Sequence, residues 1–134
     1  MPTLDAFGMV VADMAATLRF YRLIGLDIPS SADDEQHVEV ELAGGVRLMF
    51  DTVELMTSIA AWEPPTGSHR IGLAVRCSTP DEVDGTHSAL IAAGYRSHLE
   101  PFDAVWGQRY ATVSDPDGTP VDLYADNPPP GDAG

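Results

Sequence analysis

His37, His69, His87 and His98 have the widest chemical range of any side chains in this sequence. Imidazole both ligates metals and moves protons near neutral pH. Their spacing argues against a shared metal site: they fall in unlike elements, and no pair has the i, i+4 helical or x-His-x-His strand spacing of ligands. His37 is an acid–base candidate if the protein is an enzyme. The seven basic residues are all arginine, which excludes a Schiff-base lysine and a Walker-type phosphate loop. Cys77 is the sole cysteine, so no internal disulfide forms. Two flat side chains point to another chemistry. His37 stands among acids on an alternating strand and so faces either solvent or a ligand cavity. Trp106 lies in Phe102-Asp103-Ala104-Val105-Trp106-Gly107-Gln108-Arg109, which reads as a loop entering a strand. Gly107 after it permits close approach, so the indole can form a wall for a planar ligand. The plainer alternatives are an exposed strand histidine and a tryptophan that anchors its loop.

The elements that must position these residues come in two similar sets. Gly8-Met9-Val10-Val11 is echoed by Gly72-Leu73-Ala74-Val75. A helix follows each copy, starting at Asp13 in the first and at the capping box Thr79-Pro80-Asp81-Glu82 in the second. Gly25 and Gly94 close these helices. Period-two patterns come next: His37, Glu39 and Glu41 alternate with Val38, Val40 and Leu42, and Gly44-Gly45 turns into a strand over residues 46–51. In the second half, strands over 109–114 and 121–124 flank the turn Asp115-Pro116-Asp117-Gly118. Each half reads as strand, helix and about three strands. The linker Trp62-Glu63-Pro64-Pro65-Thr66-Gly67 separates modules at about 1–62 and 66–126, which form one domain. Residues 127–134 form a Pro/Gly tail that is expected to be disordered. At 134 residues and 44% hydrophobic content, the chain can bury a core. Its formal charge of −14 argues against nucleic acid or an anionic membrane as partner. The longest apolar run, residues 7–12, is far short of the ~20 needed to span a bilayer, and the expected location is cytoplasmic.

The ordered set Met9-Val10-Val11-Ala12-Asp13-Met14, Phe20-Tyr21, Leu23-Ile24-Gly25-Leu26, Gly94-Tyr95, Trp106-Gly107 and Asp115-Pro116-Asp117-Gly118 resembles the vicinal-oxygen-chelate superfamily. That group includes glyoxalase I, extradiol dioxygenases, fosfomycin-resistance enzymes and bleomycin-resistance proteins. The resemblance implies an α+β fold of two βαβββ modules that curl into an open cup, completed by a homodimer or by swapped modules. It also implies where metal ligands would sit: Ala6, Arg70, Arg47 or Met49, and Asp122. At most one of these is a ligand, so the expectation is no metal and no cofactor, with no enzymatic activity favoured over that of a lyase or dioxygenase of the superfamily. On this alignment Arg70 and Asp122 face the cup and can pair, while Phe7, Met9, Val11, Ile71, Leu73 and Val75 pack under the helices.

Leu48-Met49-Phe50-Asp51-Thr52-Val53-Glu54, the stretch Trp62 to Arg70, and Ala104-Val105-Trp106-Gly107-Gln108-Arg109-Tyr110-Ala111 are similar to the metal-free mitomycin-resistance type of drug-binding protein. This implies sequestration of an antibiotic, with His37 and Trp106 as the stacking pair in a dimer cleft. Met49, Phe50, Asp51, Trp62, Tyr110, Tyr124, Arg70 and Asp122 would supply the remaining contacts to a planar or bulky guest. Two other readings stand beside it: a glyoxalase- or dioxygenase-like enzyme acting on a small oxygenated metabolite, and a metabolite-sensing module.

Overall fold

A computed structural model describes residues 2–67, 69 and 71–129. Arg70 and residues 130–134 lie outside that set, so the expected Arg70 contacts and the end of the expected tail fall outside the described residues. The chain divides into two compact units, Met1–Thr66 and Gly67–Gly134. Both are α+β, and each carries its own sheet.

In the first unit, strand β1 (Ala6–Val11) leads into helix α1 (Met14–Leu23), a 3-10 turn (Ser30–Asp34), β2 (His37–Glu41), β3 (Arg47–Thr52) and helix α2 (Val53–Ala60). Asp13 caps α1 as its sequence requires, accepting a bond from the Ala16 amide at 3.1 Å. The sheet order is β1-β3-β2, with β1 parallel and β2 antiparallel to β3. Only two strands follow the helix here, one fewer than in the second unit, because residues 30–34 wind into a 3-10 turn. One face of the sheet packs beneath α1: Val11, Val38, Val40, Leu48 and Phe50 are buried with Leu18, Phe20 and Tyr21. Phe7 shares that face by alternation but is 45% exposed.

The second unit has the full βαβββ set: β4 (Leu73–Arg76), α3 (Pro80–Ala92), β5 (Arg96–Ala104), β6 (Gln108–Ser114) and β7 (Pro120–Asp126). The sheet order is β4-β7-β6-β5. Val83, His87 and Leu90 of α3 are buried over the sheet with Ala111, Val113, Val121, Leu123 and Ala125. Ile71, expected under a helix, precedes β4 and is 69% exposed. Residues 102–104, read from sequence as loop, belong to β5. The first residue of the expected tail is tied down: the Asn127 amide donates to the Gly107 carbonyl at 2.9 Å, and its side chain donates to Asp103 at 3.2 Å. Among the described residues, no helix is long and apolar enough to cross a membrane.

Candidate functional site

The sheet face turned away from α3 carries two adjacent rows of side chains. Strand pairing puts Phe102 opposite Tyr110, Tyr110 opposite Tyr124, and Tyr124 opposite Arg76, one residue from each of the four strands. The next row is Leu99, Thr112, Asp122 and Ala74. Directly opposed residues project to the same side, so three aromatic rings and a guanidinium stand beside one carboxylate.

Trp106 joins this row from the β5–β6 turn. Its ring centroid lies 5.4 Å from Tyr110 and 6.4 Å from Phe102, in both cases edge to face. Phe102 and Tyr110 are themselves 6.0 Å apart in the same geometry. Such T-shaped pairs place the positive edge of one ring on the negative face of the next. The indole N–H donates to Gln108 at 2.9 Å, and the Gln108 amide donates to Asp126 at 3.2 Å. Gly107 makes this turn possible, since its φ of 91° lies in the left-handed region. Trp106 is nonetheless 59% exposed, so the turn holds the ring without covering it.

Asp122 accepts the Tyr110 hydroxyl on one oxygen and the Thr112 hydroxyl, at 2.8 Å, on the other. Burial, together with the bond to Asp122, pushes the Tyr110 phenol up to about 12. Tyr110 therefore keeps its proton throughout the physiological range and acts as a donor. Arg76 sits 4.9 Å above the Tyr124 ring and 3.6 Å from Asp126.

The first unit presents a different surface. On the face away from α1, the rows are Val10, Asp51 and His37; Gly8, Met49 and Glu39; Ala6, Arg47 and Glu41. His37 bonds Asp51 through Nδ1 at 2.5 Å and Glu39 through Nε2 at 2.7 Å. Arg47 bonds Glu39 in turn, and also Asp5. The Glu39 and Asp51 carboxylates raise the His37 pKa above its ordinary value.

The sequence-predicted residues thus fall into separate groups. Trp106, Tyr110, Tyr124 and Asp122 share the second unit's face, while His37, Met49 and Asp51 share the first unit's. Trp62 is half-buried and lies outside any regular element. Phe50 is a correction. It is fully buried, 5.2 Å from the Tyr21 ring, because it neighbours Met49 on a strand and must point to the opposite face. Phe102, Arg76, Thr112 and Gln108 were not singled out from sequence. Alternation along the strand from Tyr110 finds Gln108 and Thr112, whereas Phe102 and Arg76 follow only from the strand pairing.

The donor set fits a divalent metal poorly. Of the four positions where ligands were implied, Ala6 has no donor atom, and Arg47 is a cation bonded to Asp5 and Glu39. Arg70 lies outside the described residues, which leaves Asp122 as the one carboxylate at these positions. Among the described residues, no three His, Cys, Asp or Glu side chains are placed to hold a metal ion.

A sequence model of the family described as Glyoxalase/Bleomycin resistance protein/Dioxygenase superfamily matches residues 3–123. No curated protein matches the chain. Among solved structures, a glyoxalase/bleomycin resistance protein/dioxygenase family enzyme from Burkholderia phytofirmans PsJN is similar at 19% identity and a TM-score of 0.77, covering 93% of this chain and 99% of that one. A glyoxalase-related enzyme from Fulvimarina pelagi is similar at 18% identity and 0.77, covering 94% and 89%. A glyoxalase/bleomycin resistance protein/dioxygenase from Nocardioides reaches 24% identity and 0.67, covering 100% and 91%.

Proposed function

Because the chain belongs to the glyoxalase/bleomycin resistance protein/dioxygenase superfamily, we propose that it binds a planar small molecule and sequesters it without transforming it. The observation that carries this reading is the edge-to-face cluster of Trp106, Phe102 and Tyr110 on the sheet face turned away from α3, with Trp106 largely exposed. Aromatic walls grip flat guests through area and quadrupole complementarity, about 0.5–1.5 kcal/mol per pair beyond burial. Trp106 is braced by Gln108 and its two ring neighbours, so little ordering cost falls due when a guest arrives. The donor set among the described residues suits binding better than metal chemistry, and the Tyr110 phenol, which keeps its proton near neutral pH, serves as a donor rather than a base. The biological role that fits is protection of a host from a flat antibiotic.

Fluorescence tests this directly. In a Trp62→Phe background, Trp106 is the sole indole, and its emission reports on the face itself. Titration with mitomycin-like and bleomycin-like compounds is expected to quench it with a micromolar midpoint. Trp106→Ala is expected to weaken binding roughly tenfold or more, as measured by calorimetry. No quenching and no heat from any flat compound overturns the reading.

A further inference from the structure

The second unit's sheet face turned away from α3 holds charge as well as rings. Asp122 sits one row from Tyr110 and Tyr124 and is held by two neutral donors, the hydroxyls of Tyr110 and Thr112. Neutral donors satisfy lone pairs of a carboxylate without adding a positive charge beside it. A carboxylate has about four acceptor sites, so two bonds leave capacity for another partner. None of the second unit's ion pairs among the described residues involves Asp122.

The same face already shows what such a combination accepts. Arg76, a planar cation, lies over the Tyr124 ring at 4.9 Å with Asp126 at 3.6 Å. Ring face below and carboxylate beside form the arrangement that favours a flat positive charge. Asp122, next to Tyr110 and Tyr124, repeats it one row along. The formal charge of −14 adds a long-range attraction of the same sign.

Resting on the stacking reading above, we propose that this face selects flat guests that carry positive charge, such as quaternary or protonated heteroaromatics and aromatic amines. The rings supply area, and Asp122 supplies the counter-charge. Ligands of matched shape and different charge separate the two claims. The full-length chain is titrated calorimetrically, in mildly alkaline buffer, with 1-methylquinolinium, quinoline and quinoline-4-carboxylate, which are cationic, neutral and anionic. The cation is expected to bind roughly tenfold tighter than quinoline, and the carboxylate weakest of the three. That preference is expected to shrink with added salt. Asp122→Asn, which keeps an oxygen for one hydroxyl and turns an NH2 toward the other, a hydroxyl that can accept from it, is expected to bring the cation's Kd to that of quinoline. Equal binding of all three by the unaltered protein overturns the charge preference and leaves the stacking reading standing. A cation preference that survives Asp122→Asn overturns the role of Asp122. Binding of none of the three overturns both. The wild-type ligand series needs no substitution, so a variant that fails to fold does not protect the proposal.

Discussion

His37 is held at both edges of its ring. Asp51 faces Nδ1 from β3, Glu39 faces Nε2 from β2, and both bonds are fully formed only when the imidazole is protonated. Its pKa therefore rises above 6.5, with the Glu39 bond as the larger cause and Asp51 next. The reciprocal effect lowers Glu39 below 4.5, through its bonds to His37 and then Arg47. The folded state thus binds the His37 proton more tightly than the unfolded chain. The resulting stability is fully present below 6.5 and is lost as pH rises through the raised folded value. The Glu39 contribution runs the other way, present above 4.5 and lost as pH falls through the lowered value. Proton NMR is expected to show the His37 ring titrating above 6.5, and Asp51→Asn is expected to move the midpoint down. A midpoint at or below 6.5 removes the network's electrostatic role. Solvent reaches these groups, so the effect on unfolding is small and falls with salt.

At the level of elements, legibility followed from how local each signal is. The ends of α1 and α3 were readable because caps are short-range: Asp13 bonds the Ala16 amide, and Thr79 bonds the Glu82 amide at 3.1 Å. Helix α2 was not foreseen. It is only eight residues long and starts directly after β3, so Val53, Leu55, Met56 and Ile59 span too few turns for a helical period to stand apart from the strand before it. Most of β5 escaped for a different reason. Its pairing with β6 shifts between Ser97 and Leu99 and again between Leu99 and Phe102, which breaks the period-two pattern. Pro101 sits within the second irregular stretch, where its missing N–H is tolerated. Phe102 was consequently read as loop and its place in the aromatic row went unseen. Helix α2 also ends on Ala61 at φ 38°, the one described non-glycine residue in the left-handed region. A side chain there costs about 1–2 kcal/mol. Ala61→Gly is expected to raise stability by about 0.5–1 kcal/mol in urea unfolding, after glycine's greater freedom in the unfolded chain is deducted.

For the whole molecule, the family was legible in ordered short motifs, whereas the site was only partly so. Alternation put Asp122 and Tyr124 on one face, and the register agrees. It could not show that Arg76 caps Tyr124 or that Tyr110 and Thr112 brace Asp122, because those contacts depend on which strands are neighbours. The predicted ligand positions remain the strongest whole-chain statement about chemistry. Purified protein is expected to carry no stoichiometric zinc, nickel, manganese or iron by elemental analysis. Chelator is expected to leave both its melting temperature and its guest binding unchanged. One tightly held divalent ion per chain, removed together with function, reverses the ranking in favour of an enzyme.

The anchoring of Asn127 has a practical edge. By bonding the Gly107 carbonyl and the Asp103 side chain, this residue buckles the last part of the described chain to the hairpin that displays Trp106. A protease cut or a truncated clone ending at Asp126 would unfasten that buckle, and an appended tag placed too close would strain it. Weaker binding of a flat probe after trimming would then report a loosened hairpin rather than a missing binding residue.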